Sequence, residues 1–236
     1  MKITRLCFAA LAACLMFVGQ ASADIVASPI EPTTNIILDQ FHTNTVQVAA
    51  NANNARGSAF SLDTDALSAA GTSTSPAGMD FLIQSLSFQR GTAVPDSIDV
   101  VFFEGTPTGF GGTAATAANF ATGSGTGFYV LANENHAIPT SGFGDFLTVN
   151  LDSPFIANSS DNLGFFVFAN GGGGTLNILE GQSAGGGRLS FGGTSVNGPS
   201  GARNFNFLIH GEPVPEPSSL IVLGLGVMGV ITRRRR

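Results

Sequence analysis

Apolar and polar residues alternate along the central part of this chain, the pattern of a β-strand with one buried face. The alternation is clearest in 147–151, and it recurs in 205–209 with Leu208 as the exception. Two other segments, 98–103 and 163–168, are nearly continuous apolar runs. Such runs are typical of central strands that are covered on both faces. The body of the chain is therefore predicted to be built from β-strands.

Shorter alternating segments and glycine-rich connections extend this prediction. No segment has a convincing helical period, and 105–127 forms a long connection that is either a surface loop or hides a missed strand. Glycine, serine and asparagine in the connections favour tight turns. Nine or ten short strands of this kind predict an all-β fold, an antiparallel β-sandwich of jelly-roll type. The shorter alternating segments are 85–88 and 188–191, and the weaker strand candidates are 45–49, 58–62, 128–132 and 175–179.

The end of the chain has a different pattern. Twelve apolar residues, 220–231, precede four terminal arginines. As a helix they would be about 18 Å long, shorter than the roughly 30 Å hydrocarbon core, so they would cross a bilayer only with tilt or local thinning. The arginines are predicted to be a stop-transfer signal that stays cytoplasmic. They are Arg233, Arg234, Arg235 and Arg236.

The residues before this run make the tail specific. Val214, Pro215, Glu216 and Pro217, followed by the short apolar run and the arginines, resemble the PEP-CTERM sorting signal of Gram-negative bacteria. The resemblance covers 214–236 only. It implies processing by exosortase, a membrane-embedded protease, and transient anchoring in the inner membrane before delivery to the cell surface, the outer envelope or a secreted matrix. The alternative is an ordinary C-terminal anchor that contains Pro-Glu-Pro by chance.

The N-terminus predicts a signal peptide over 1–23. A positively charged start precedes an apolar stretch, 6–18, and Ala21 and Ala23 place small residues at the −3 and −1 positions of a cleavage site. The partners implied are the Sec translocon and signal peptidase. The alternative is lipoprotein processing at Cys14, but the apolar stretch continues beyond that residue.

These signals divide the chain into five segments. The body has about 190 residues, enough to bury the core of one domain without disulfides. Both cysteines, Cys7 and Cys14, precede the predicted cleavage site, so the mature chain contains no thiol. The segments are a signal peptide (1–23), a β-sandwich body (24–212), a Pro-rich stalk with the sorting motif (213–219), a short transmembrane helix (220–231) and a cytoplasmic arginine tail (232–236).

The body is strongly acidic. Between residues 24 and 217 there are sixteen acidic residues, four arginines and no lysine, which gives a net charge of −12. A protein of this composition lacks the basic patch that phosphate groups require, so we expect no nucleic-acid partner. Its charge also repels anionic lipid headgroups.

Several motifs that resemble catalytic or binding signatures lack the necessary context. The segment 181–185 matches the nucleophile elbow of hydrolases, but no strand-to-helix turn is predicted there. The dinucleotide-type glycine pattern at 224–229 lies inside the terminal apolar run. The three histidines, His42, His136 and His210, have no metal-ligand spacing and are predicted to lie at the surface.

We therefore predict no catalytic residues, no cofactor-binding residues and no metal ligands. Structural calcium is the alternative left open, because 63–65 and 96–99 each contain two aspartates. Neither segment has the spacing of a complete calcium-binding loop.

The function predicted is that of an exported cell-surface or extracellular-matrix protein, structural or adhesive in an exopolysaccharide or biofilm matrix, and not an enzyme. One alternative is a carbohydrate- or ligand-binding module that uses the sandwich loops. A flat sugar-binding platform is disfavoured because the chain has no tryptophan and one tyrosine. The other alternative is a hydrolase.

Overall fold

The computed structural model describes residues 24–41, 45–51, 54–62, 72–73, 78–107, 116–121, 127–170, 174–181, 188–192, 195–200 and 204–214. These residues form strands almost throughout, with one short helix, α1 (Ala117–Ala121). The strands are β1 (Ile25–Ser28), β2 (Ile36–Asp39), β3 (Thr45–Ala50), β4 (Arg56–Phe60), β5 (Thr72–Ser73), β6 (Asp80–Gln89), β7 (Ser97–Gly105), β8 (Phe128–Ala137), β9 (Phe146–Asn158), β10 (Leu163–Asn170), β11 (Leu176–Gly181), β12 (Arg188–Gly192), β13 (Ser195–Ser200), β14 (Asn204–Phe205) and β15 (Phe207–Pro213).

The strands form three antiparallel sheets. Sheet I has the order β1-β9-β6-β15-β2-β5, sheet II the order β13-β12-β4-β10-β7-β8, and sheet III the order β14-β11-β3. Side chains of sheets I and II share one buried apolar cluster, so these two sheets are the layers of a sandwich. The predicted all-β antiparallel sandwich is therefore confirmed.

The main core lies between sheets I and II. Leu147 and Val149 of β9 contribute from sheet I, and Val100 and Phe102 of β7 contribute from sheet II, all at most 1% exposed. Each pair is separated by one residue because alternate side chains of a strand point to the same face. Phe165 of β10 lies among four other phenylalanine rings near the middle of this core.

Sheet II carries a second apolar cluster on its outer face. Val101 and Phe103 of β7 pack there with Phe166 and Phe168 of β10, and Ala117 of α1 joins them. Both faces of β7 and β10 are therefore buried, which confirms the prediction made from their continuous apolar runs. The helix α1 lies within the segment 105–127, for which the sequence predicted a loop or a strand.

The carboxylate of Glu134 links the two layers of the sandwich. Glu134 of β8 in sheet II accepts hydrogen bonds from the backbone N–H groups of Asp152 and Ser153 in β9, at 2.7 and 2.9 Å. These two residues lie where the register between β6 and β9 shifts, so their N–H groups are not used in that ladder. The side chain of Glu134 thus joins sheet II to sheet I.

The last strand of the body is an interior strand. β15 pairs with β6 on one side and with β2 on the other. The C-terminal end of β15 therefore determines where the tail leaves the body.

Candidate functional site

The structure describes one residue of the predicted processing motif, Val214. The other predicted signal residues lie outside the described ranges. They are Ala21 and Ala23 of the signal-peptidase site, Pro215, Glu216 and Pro217 of the sorting motif, and Arg233, Arg234, Arg235 and Arg236 of the stop-transfer signal.

The sorting motif begins directly at the sheet. β15 continues to Pro213, which the sequence assigns to the stalk, and Pro213 lies opposite Phe81 of β6. The N–H of Val214 then donates to the carbonyl oxygen of Asp80 at 2.8 Å. The hydrogen-bonded part of the body therefore reaches Val214, and Pro215 is the next residue.

A bulge shapes the end of β15. The register of β15 against β6 shifts between His210 and Gly211. The N–H of Gly211 donates to the carbonyl oxygen of Asn35 at 2.9 Å, and Asn35 has a φ of +53°, which asparagine tolerates better than most residues. A Cβ at position 211 would lie 2.5 Å from the carbonyl oxygen of Leu82, so this approach requires glycine. Asn35 Nδ2 also donates to Glu212 Oε1 at 3.3 Å.

The outer face of sheet I carries an exposed row of side chains at this end. Leu82 lies opposite Ile156 of β9 on one side and Glu212 of β15 on the other. Phe81 and Ile83 face the core, so Leu82 points outward. Ile156 is 58% exposed, although it is a large apolar residue. We define the exit corner as Asn35, Asp80, Leu82, Ile156 and Glu212.

An apolar groove of about 430 Å³ lies beside the exit corner. Its apolar walls come from the start of β2, from the start of β6 and from the last residue of β15. The tail thus leaves the body next to accessible apolar surface. These wall residues are Ile36, Ile37, Met79, Phe81 and Pro213.

Both described histidines are buried, so the prediction of surface histidines is wrong for them. His136 lies within β8 and is 4% exposed, with its Nε2 3.3 Å from Glu134 Oε2. His210 lies on the polar side of β15 but is only 6% exposed. The pattern of β15 alone could not reveal this, because the outer face of sheet I is itself covered at that point. His42 lies outside the described residues.

His210 belongs to a chain of polar contacts across sheet I. Its Nδ1 lies 2.9 Å from the carbonyl oxygen of Thr34, and its Nε2 lies 2.7 Å from Ser87 Oγ. Ser87 Oγ lies 2.7 Å from Thr148 Oγ1. A neutral ring satisfies every contact if Nδ1–H donates to Thr34 and Ser87 donates to Nε2. Ser87 is fully buried, so this Ser–His pair has no access to a substrate and serves to stabilise the sheet.

Burial gives His210 a specific pH dependence. Its pKa is lowered by loss of hydration, an effect that the hydrogen bond to the carbonyl of Thr34 opposes. The unfolded chain therefore binds a proton more readily, and stability should fall as the pH drops below about 6.5, the ordinary histidine pKa. Between pH 7.5 and pH 5.5, the free energy of unfolding measured with urea should fall further for the wild type than for His210→Gln, by up to about 1.4 kcal/mol per pH unit. Equal pH dependence in both proteins would contradict this assignment.

One aspartate of the calcium alternative, Asp99, accepts hydrogen bonds from two amide side chains. Asp99 accepts hydrogen bonds from Asn135 Nδ2 at 2.7 Å and from Asn170 Nδ2 at 3.0 Å. Asp96 is on the same segment, whereas 63–65 lies outside the described residues. Across the described ranges, no group of three or more His, Asp or Glu side chains is placed to hold a metal ion.

The described arginines are all engaged in contacts within the body. Arg188 Nε lies 3.0 Å from Glu180 Oε1, whose side chain is fully buried. Arg90 is 8% exposed, and its guanidinium donates to the carbonyl oxygen of Gly91 and to Ser141 Oγ. Arg56 Nη1 donates to Asn54 Oδ1 at 3.0 Å. Acidic side chains thus dominate the outward-facing charge of the described body.

No helix within the described residues is long and apolar enough to span a membrane. The segment 220–231, for which the sequence predicted such a span, is outside them.

Two solved structures are distantly similar to this chain. One contains the cysteine protease and lectin-like domains of Cwp84, a surface layer associated protein of Clostridium difficile, with 11% identity and a TM-score of 0.43 over 78% of this chain. The match spans 37% of the Cwp84 chain. The other is Desmodium yellow mottle tymovirus, with 12% identity and a TM-score of 0.22, covering 76% of this chain and 99% of that one. Neither likeness bears on function.

The sequence comparisons concern the tail alone. No curated protein matches the chain significantly. A protein-family profile described as the PEP-CTERM protein-sorting motif matches residues 213–236. The chain therefore carries a PEP-CTERM protein-sorting motif at its C-terminus, and it is an exported protein, transiently anchored in the membrane and sorted by an exosortase-type membrane protease of a Gram-negative bacterium.

Proposed function

We propose that the body is a structural or adhesive component of the cell surface or of an exopolysaccharide matrix, and that sorting through 213–236 delivers it there. The observation that carries the proposal is the sorting motif itself. It marks a strongly acidic sandwich as an exported protein that is sorted by an exosortase-type protease.

The polar clusters of the body support a non-enzymatic role. Ser87 and His210 are buried in sheet I, and the carboxylate of Glu134 is used by backbone N–H groups of β9. The ion pair between Glu180 and Arg188 lies inside the body. These groups act as internal cross-links, and we propose that the body works by display and contact, without a cofactor.

Replacing Pro215, Glu216 and Pro217 with alanine tests this proposal. We expect the body to fold normally, because its strands end at Pro213, but the protein should stay uncleaved in the inner membrane. Mass spectrometry of cell fractions should then find Arg236 in the triple variant and not in the wild-type surface protein. The matrix fraction should contain the wild type and should lack the variant.

A matched control changes the neighbouring Ser218 and Ser219 to alanine, which leaves the motif intact and should leave processing unchanged. Normal cleavage and normal matrix delivery of the Pro-Glu-Pro variant would contradict the sorting step. Cleavage of the wild type followed by complete release into the medium, with no matrix-bound fraction, would contradict the matrix role.

A further inference from the structure

The distance between the body and the sorting motif is fixed by covalent geometry. The N–H of Val214 is hydrogen bonded to Asp80, and three residues of chain extend at most about 11 Å. Pro217 must therefore lie within about 11 Å of Val214. A protease that binds 215–217 cannot avoid the surface around Asp80 and Glu212.

The same surface is close to the membrane. Leu220, where the apolar run begins, is six positions after Val214, so the two residues are at most about 21 Å apart. The exit corner is thus the part of the described body that a membrane-embedded enzyme meets first. Two of its residues, Asp80 and Glu212, are acidic, which disfavours contact with anionic lipid headgroups. A protein partner fits this position better than the lipid surface.

The exit corner also has the composition of a contact surface. Ile156 is exposed and lies opposite Leu82, and Glu212 and Asn35 form a hydrogen-bonded polar border beside them. Apolar contacts surrounded by polar groups are typical of protein interfaces. The start of the family match at Pro213, the last residue of β15, joins this surface to the sorting signal without a linker.

We propose that the exit corner is a docking surface for the exosortase-type membrane protease, which recognises the folded corner together with the linear motif. The proposal rests on the proposed sorting function. It adds that the protease recognises part of the folded body as well as the linear motif. The enzyme gains an apolar contact at Ile156 and Leu82, while the carbonyl oxygen of Asp80 holds the N–H of Val214 beside them.

Charged substitutions of Ile156 test the docking surface in the native host. Ile156→Glu and Ile156→Lys should each slow cleavage of the full-length precursor about tenfold, the effect of losing one important interface contact. The matched control is Val26→Glu, a 54% exposed residue on the outer face of the same sheet. It lies opposite Thr148, roughly 25 Å along β9 from Ile156, and should be cleaved at the wild-type rate.

An insertion distinguishes docking of the protease on the body from a body that only blocks access to the motif. Adding Ser-Gly-Ser-Gly between Pro213 and Val214 leaves the strand and the motif intact but moves them up to about 13 Å apart. Docking predicts slower cleavage, again by about tenfold. A body that merely obstructs the enzyme predicts faster cleavage.

The rates would be measured by pulse labelling and mass spectrometry, with thermal unfolding to verify that each variant folds. Unchanged cleavage of the Ile156 variants, or faster cleavage of the insertion variant, would overturn the proposal. Faster cleavage of Ile156→Lys with slower cleavage of Ile156→Glu would assign the corner to anionic lipid and would also overturn it. The Pro-Glu-Pro variant distinguishes the two proposals. Normal processing of that variant would contradict the sorting step, whereas unchanged cleavage of the Ile156 variants would contradict only the docking surface.

Discussion

Replacing Phe165 with alanine is expected to lower the free energy of unfolding by about 3–5 kcal/mol. Phe165 is fully buried, and its ring centroid lies 4.9 Å from that of Phe207 and 5.1 Å from that of Phe205. The ring centroids of Phe60 and Phe102 lie 6.2 and 5.9 Å from that of Phe165. Alanine would remove the ring that joins both layers and leave a cavity that strands on both sides prevent from collapsing.

This loss should be large relative to the total stability, because the free energy of unfolding of native proteins is about 5–15 kcal/mol. Urea unfolding of the purified protein would measure it, with Phe143→Ala as the control. Phe143 is 62% exposed, so its loss should change stability by no more than about 0.5 kcal/mol. Equal effects of the two substitutions would contradict the central position of Phe165.

Removing one member of the pair Glu180–Arg188 should also destabilise the protein, by about 3 kcal/mol. Glu180 of β11 is fully buried, and the pair joins sheet III to β12 of sheet II at 3.0 Å. Either Glu180→Leu or Arg188→Met leaves the other group buried with its charge or its polar atoms poorly compensated. Removing one partner of a buried pair costs more than the pair itself contributes.

The double variant Glu180→Leu, Arg188→Met is therefore expected to be more stable than either single variant and to approach the wild type. A double-mutant cycle by urea unfolding would measure the coupling. Additive effects of the two substitutions would mean that the groups do not act as a pair. Asp96→Asn, at an exposed position, provides a control for the loss of a carboxylate and should have little effect.

The strands with the clearest patterns could be predicted from sequence because burial alone determines them. The runs 98–103 and 163–168 are apolar at nearly every position because apolar clusters cover both faces of sheet II. Segment 147–151 alternates because its polar residues lie on the other face of sheet I. Local sequence is sufficient where the environment of a strand is the same along its length.

Short elements could not be predicted in the same way. β1 and β2 have four residues each, too few for a pattern, and they are stabilised by partners more than 100 residues away in sequence. The helix α1 is also too short to show a helical period of apolar residues, although Thr116 is a residue type that favours the N-cap of a helix. Its Oγ1 accepts the N–H of Asn119 at 3.2 Å, the geometry of an N-cap.

The sorting motif was predicted correctly, but its attachment to the sheet was not. The motif is defined by consecutive residues, so sequence alone reveals it. The pairing of Pro213 with Phe81 joins residues 132 positions apart in sequence, and proline usually suggests the end of a strand rather than continued pairing. The exit corner likewise combines residues from β6, β9 and β15, and no local pattern could indicate it.

The interior position of β15 has a consequence for the order of events during export. Sheet I cannot be completed until its last strand in sequence inserts between β6 and β2. The chain must therefore cross the membrane almost entirely before its core closes, and by then only the tail remains behind. Because Val214 directly follows β15, pairing of β15 also brings the N–H of Val214 to the carbonyl oxygen of Asp80. A chain that has not folded leaves β15 unpaired and leaves Val214 without its hydrogen bond to Asp80.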